Sequence, residues 1–238
     1  MIVPGDVIED HPSVMGPGVY EDHDRAIPTV AGYYHTQKRK QGLVAYVESA
    51  GKHYVPHLHD MVVGIVVGTI GESYKVQLQD FCQPVLLSFY SFANATKKNR
   101  PQLKQGQAVY ARISQAIPEI DIEIECVDAA GKDGGFGPLD DQGMVVDIGN
   151  LAYARELLFN HKSPVLEHLA TKCKFEVAVG TNGKAWIRAG DAANPNLRGT
   201  IAAANYVVEM QHHPAEDAAE VLDRVWAQYQ VDEDVDHE

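Results

Sequence analysis

The sequence predicts a multidomain protein of β and α+β class: a small N-terminal β lobe, a five-stranded barrel of the OB type and a C-terminal α+β domain. Three observations predict it. Five short apolar runs crowd into about 75 residues with a long connection after the third, the spacing of a small closed barrel. Ahead of them, short apolar runs are broken by turn signals. Behind them, the pattern changes to the i, i+3, i+4 spacing of amphipathic helices around one Asn-Gly hairpin.

In chain order, residues 1–51 form the lobe. Pro4-Gly5-Asp6 and Gly16-Pro17-Gly18 are turn signals, and Gly42–Val47 is a strand that ends at Ser49-Ala50-Gly51. Lys38-Arg39-Lys40 has acidic residues around it and reads as a solvated turn. Residues 52–130 form the barrel, with strands at Met61–Ile70, Ser73–Leu78, Val85–Phe89, Ala108–Ser114 and Ile120–Val127. The last of these alternates apolar and acidic residues, so one face is buried and one solvated. Gly64 and Gly68 in the first strand ease the sharp coiling a small barrel needs.

Residues 131–238 form the third domain. Gly131–Gly143, with five glycines, reads as a linker. A helix follows at Asn150–Asn160. A second has Ser163 as N-cap and Pro164 in its first turn and runs to about Lys172. Strands Lys174–Val179 and Lys184–Arg188 are joined by Gly180-Thr181-Asn182-Gly183. Helices follow at Thr200–Met210 and from Pro214, where Ala218, Val221, Leu222, Val225, Trp226 and Tyr229 share one face. Asp232–Glu238 is a charged tail.

Charge separates these segments. The formal net charge is -13, and residues 1–51, 52–130 and 131–238 carry -3, -1 and -9 of it. Within the nearly neutral middle third, Lys97, Lys98 and Arg100 place three cations in four residues of a connection between strands. Loops on a rigid β scaffold carry binding groups. A solvated loop has the same composition. Cations that reach phosphate oxygens, one of them a planar Arg fork, give a contact indifferent to base sequence. The pattern predicts a local phosphate contact, with RNA the ligand.

Other chemistry finds little support. Cys82, Cys126 and Cys173 are scattered singly, which predicts reduced thiols in an intracellular protein and no zinc site. His57 and His59 lack a third ligand at metal spacing. No metal, cofactor or catalytic residue is expected. Alternating Asp121, Glu123 and Glu125 read as a solvated strand face, not a magnesium site. No apolar run is long enough for a membrane span, and the first residues lack the basic and apolar regions of a signal peptide.

Five tracts carry a family resemblance: Pro4-Gly5-Asp6, Gly16-Pro17-Gly18, Thr96–Pro101, Gly134-Gly135-Phe136-Gly137 and Lys174–Trp186. In order and spacing the chain resembles the RNA exosome cap proteins, which join an N-terminal domain, an S1-type OB barrel and a KH domain. The resemblance implies a KH-type third domain and a non-catalytic, RNA-binding subunit. It implies RNase PH-like ring subunits and other cap subunits as partners, and single-stranded RNA guided toward 3′→5′ processing. It implies the nucleus and nucleolus, and also the cytoplasm.

Against that family the site residues divide. Lys97, Lys98 and Arg100 are expected to line the RNA path. Lys75 stands where S1-type binders usually carry a stacking aromatic and Ser88 at a second such place, so electrostatic tracking with little stacking is expected. Gly180-Thr181-Asn182-Gly183 spells the Gly-x-x-Gly of KH domains, but it joins two strands, so Gly180, Asn182 and Gly183 are expected to be structural and to lie near a domain interface. Trp186 is expected in packing. A ribosome-assembly or translation factor with an S1 domain, and a nuclease accessory subunit, remain compatible with the residues.

Overall fold

The structure is a computed structural model that describes residues 1–8, 12–23, 25–39, 42–49, 51, 53–117, 119–160, 162–191 and 193–229. Lys40 of the basic run and the tail Asp232–Glu238 lie outside the described residues. The chain forms two compact units, Met1–Gly51 and Lys52–Glu238.

The first unit holds β1 (Val14–Met15), β2 (Val19–Asp22), β3 (Arg25–Pro28), β4 (Tyr33–Arg39) and β5 (Gly42–Glu48). β4 and β5 form an antiparallel hairpin and β1 lies parallel on β5, while β2 and β3 form a second hairpin. Ile8, Val19, Ala26 and Val47 make a small core. At Gly16-Pro17-Gly18 the backbone presses on β5: a Cβ on Gly16 would meet the Ala45 carbonyl at 2.9 Å. Lys38 is exposed near the end of β4.

The second unit begins with the barrel: β6 (Met61–Ile70), β7 (Ser73–Gln77), β8 (Val85–Phe92), β9 (Ala108–Gln115) and β10 (Glu123–Cys126). The order is β10-β8-β7-β6-β9, and β10 also pairs with β9, which closes the ring. Val62, Val66, Val76, Leu87, Ile113 and Ile124 fill it, each full burial contributing about 1.5–3 kcal/mol. The β6–β7 register shifts between Val66 and Gly68. Gly64 lies so close to Val76 that a Cβ would collide with that side chain.

Three expectations shift in this region. The fifth strand spans only Glu123–Cys126, with Ile122 C=O already accepting from Leu86 N–H (2.9 Å), because ahead of it Ile120 N–H turns back to the Ile117 carbonyl at 3.2 Å. The third strand runs on to Phe92. The presumed linker supplies β11 (Gly137–Pro138), which pairs with β9 and extends the barrel sheet.

The α+β part follows with β12 (Met144–Asp147), α1 (Leu151–Phe159), α2 (Pro164–Lys172), β13 (Phe175–Val179), β14 (Lys184–Asp191), β15 (Asn194–Pro195), α3 (Leu197–Met210), a 3-10 turn (Ala215–Asp217) and α4 (Ala218–Tyr229). The main sheet has the order β12-β14-β13, all antiparallel, and β15 pairs with the end of β14. β12 was not anticipated; it is four residues long and only half-buried, so its apolar signal is weak. Leu157, Leu169, Ile187, Tyr206, Leu222 and Trp226 join helices and sheet in one core.

Caps explain the helix ends. Asn150 accepts from the Ala152 and Tyr153 amides at the start of α1. Asn196 accepts from Gly199 N–H at 2.8 Å, which starts α3 three residues before the expected Thr200. Ser163 precedes α2 but makes no side-chain cap; Pro164, whose fixed φ suits a first turn, starts that helix.

Candidate nucleic-acid interface

The connection from β8 to β9 is tied to the barrel core at several points. Alternation on β7 buries Tyr74 and turns Ser73, Lys75 and Gln77 to the outer face. The Tyr74 ring packs on Phe89 of β8, with centroids 4.5 Å apart and planes tilted by 60°. Its hydroxyl donates to the Pro101 carbonyl (2.9 Å) and accepts from Leu103 N–H (3.2 Å). A core side chain thus pins the chain directly after Arg100.

The preceding residues close a tight turn. Thr96 N–H donates to the Asn99 carbonyl (2.8 Å), and Asn99 N–H returns to the Thr96 carbonyl (3.2 Å) and hydroxyl (3.1 Å). Asn94, at φ 57°, enters the turn in the left-handed region that Asn tolerates. Lys97 and Lys98 sit at the turn's two central positions and both are exposed. The Arg100 guanidinium carbon lies over the Phe89 ring, 4.5 Å from its centroid.

Lys104, further along the same connection, is exposed as well. Among the described residues, none of these four cations has a carboxylate within salt-bridge distance. Four uncompensated charges on one tethered loop make a local positive potential that the chain's overall charge opposes elsewhere. Sequence reading passed over Lys104, although it stands only four residues beyond Arg100. It also passed over the support that Phe89 gives Arg100.

Lys75 belongs to a strand and not to this loop. It stands half-buried on the outer face of β7, opposite Gly68 of β6 and Leu86 of β8. Ser73 and Ser88 face each other on the same surface, so these outer positions carry no ring.

The Gly180–Gly183 hairpin makes a different kind of contact. It joins β13 to β14 and docks its tip on the barrel. Thr181 N–H donates to the Met61 carbonyl (2.8 Å). Asn182 is 1% exposed; its amide donates to the carbonyls of Val63 (2.8 Å) and Leu78 (2.7 Å) and accepts from Val63 N–H (3.2 Å). The β6–β7 ladder runs only from Ile65 and Gln77 outward. Beyond that point the Asn182 amide bridges the two strands in place of a backbone partner.

The two glycines are required by space and by φ. A Cβ on Gly180 would meet Val63 N at 2.6 Å. Gly183 has φ +78°, and a Cβ there would meet the Ile148 carbonyl and Leu151 Cδ2 at 2.8 Å. Trp186 is buried between barrel residues Val63 and Ala108 and Ala178 of β13, with its indole N–H on the Asp140 carbonyl (3.2 Å). The buried Lys184 pairs with Asp147 at 2.5 Å, and Arg188 with Asp140 (2.6 Å) and Glu176 (2.7 Å).

Of the acidic strand face, Glu125 is taken up by Arg112, while Asp121 and Glu123 face solvent. Burial, aided by Glu125, pushes the Cys126 thiol up to about 12, far from a reactive thiolate.

The structure therefore defines a protein that couples a closed OB-type barrel to a KH-type α+β region through a buried Asn-Gly hairpin. Family models agree: that of the exosome complex component RRP40 S1 domain matches residues 54–137, and that of a KH domain matches residues 143–193. The exosome complex component RRP40 of Saccharomyces cerevisiae is 45% identical over 201 residues, covering 81% of this chain and 83% of that protein. The Homo sapiens RRP40 is 28% identical over 215 residues, covering 89% and 75%. A crystal structure described as an exosome complex RNA-binding protein shares the fold, with a TM-score of 0.52 at 16% identity over 75% of this chain and 97% of that one. The chain belongs to the RRP40 family of exosome complex components.

Proposed function

We propose that the protein is a cap subunit of the RNA exosome with no catalytic activity of its own. It bridges RNase PH-like ring subunits, meets other cap subunits, and guides single-stranded RNA toward the channel for 3′→5′ processing and decay. Lys97, Lys98 and Arg100 line the RNA path, and Lys75 is a secondary contact. Gly180, Asn182, Gly183 and Trp186 hold the scaffold and touch no RNA. The reading places the protein in the nucleus and nucleolus, and also in the cytoplasm.

The observation that carries it is the exposed, unpaired basic loop fastened to a rigid barrel by Tyr74 and Phe89. Docking on a ring is supported by the apolar side chains that the first unit exposes, among them Val3, Val7, Tyr20 and Tyr33; an obligate interface of this kind buries about 2,000 Å² or more.

The test is charge reversal in the reconstituted complex. K97E/K98E/R100E lowers RNA affinity and flattens its salt dependence by at least about 1.4 in log–log slope, since each single-strand phosphate contact contributes about 0.7 and the two lysines alone supply two. An unchanged slope overturns the assignment of these residues. Cleavage of labelled RNA by the purified chain with magnesium overturns the non-catalytic reading.

A further inference from the structure

We propose that Arg100 is a base-stacking platform, and that the loop therefore selects single-stranded RNA by an unpaired base as well as by phosphate. This rests on the RNA reading above and divides the loop's cations into two kinds.

Arg100 is held from both ends. Its guanidinium carbon lies 4.5 Å from the Phe89 centroid, and Phe89 is itself backed by Tyr74. The Tyr74 hydroxyl then fixes the backbone of Pro101 and Leu103. A long side chain that would lose its freedom on binding is already ordered. The residue is nonetheless exposed as a whole, as a platform must be. No described carboxylate competes for it.

Lys97 and Lys98 have no such backing. They project from a four-residue turn whose hydrogen bonds are all made by Thr96 and Asn99. They act as mobile point charges, suited to phosphates at varied positions. A planar, weakly hydrated guanidinium resting on an aromatic ring instead presents a flat cationic face, and unpaired RNA bases stack on such faces.

The outer barrel face favours this division of labour. The two positions where S1-type binders usually carry a ring hold Lys75 and Ser88; Tyr90, two residues beyond Ser88, gives its hydroxyl to Glu72 (3.4 Å), so the flat partner fastened to the loop itself is Arg100. The ligand class follows from the chemistry: a strand with unpaired, accessible bases. Duplex RNA hides its bases in the stack, and a polyanion without bases offers only charge.

The experiment uses the chain in the reconstituted complex and two fluorescent oligoribonucleotides of equal length and charge, one ordinary and one abasic. Affinities are read by anisotropy across a salt series. R100K keeps the charge and removes the plane. It lowers affinity for the ordinary strand about fivefold or more, the effect of losing one stacked base. It leaves the abasic strand and both salt slopes unchanged. F89L, checked for an unaltered melting profile, reproduces the pattern; K97Q/K98Q weakens both strands alike and reduces both slopes. Equal affinities of R100K and wild type for the ordinary strand overturn the proposal, as does an equal loss on both strands, which would mark Arg100 as a phosphate fork. Failure of the wild type to bind either strand removes the RNA reading itself and this inference with it.

Discussion

Asn182 supplies the sharpest test of how the barrel and the KH-type region are joined. Asn182→Ala removes one acceptor and two donor contacts to three backbone groups: Val63 N–H, Val63 C=O and Leu78 C=O. Val63 is fully buried, and Asn182 is 1% exposed. A buried polar group left without a partner costs about 1–3 kcal/mol. Carbonyls, with two lone pairs, tolerate the loss better than an N–H, and a water entering the vacated space recovers part of it. About 3 kcal/mol remains, which lowers the melting temperature of a unit this size by about 6–12 °C.

Urea unfolding reads the effect through far-UV circular dichroism and tryptophan fluorescence, since Trp186 and Trp226 both lie in the KH-type region. A loss below 1 kcal/mol would refute the bridging role. Asn182→Asp sharpens the point, because a carboxylate oxygen would then face two carbonyls. Its folded-state pKa is raised, so its stability is fullest below the unfolded value of about 4 and falls as pH rises through the folded one. A variant indifferent to acid would show that the amide's orientation does not matter.

Three further outcomes follow from the geometry. Gly183→Val forces a β-branched residue to φ +78° against the Ile148 carbonyl and lowers stability or assembly before RNA contact; a stable, normally assembled variant that has lost RNA binding would contradict the structural role. Tyr74→Phe removes the hydroxyl tether at a cost of about 1–2 kcal/mol, and hydrogen exchange shows the Leu103 amide losing protection while the barrel strands keep theirs. Burial pushes the Tyr110 and Tyr206 phenols up to about 12, so the stability they contribute is complete below pH 10 and lost as pH rises from about 10 to 12; a flat urea midpoint across that range would refute it.

The barrel was legible because its strands carry local signals: alternation around Glu123 and Glu125, and glycines at Gly64 and Gly68. The helices were legible from spacing, although the N-cap of α3 was missed because Asn196 follows a proline-containing bridge. β11 and β12 were not legible. Two and four residues are too few to show a period, and both strands exist because β9 and β14 offer them open edges. The hydrogen bonds of Asn182 span 119 and 104 positions, and no local pattern encodes a contact of that range. The basic loop was visible as charge. That Phe89 and Tyr74 would brace it depends on barrel closure, which composition cannot express.

The two tethers meet β7 at opposite ends. Tyr74, near its start, holds the basic loop; Leu78, just past its end, receives the Asn182 amide. Four residue steps of strand separate them, about 13 Å at the usual rise. A lesion in the hairpin reaches the loop only through the strand between them, which its pairing with β6 and β8 holds in place. Hairpin and loop variants therefore fail in distinguishable ways. Asn182→Ala reduces the fraction of folded molecules and leaves the affinity of each folded one intact, whereas Arg100→Lys leaves the fraction intact and reduces the affinity. A hairpin variant that weakened RNA binding in proportion to nothing in its unfolding curve would mean that β7 transmits strain, and the rigid-scaffold view of this barrel would have to be given up.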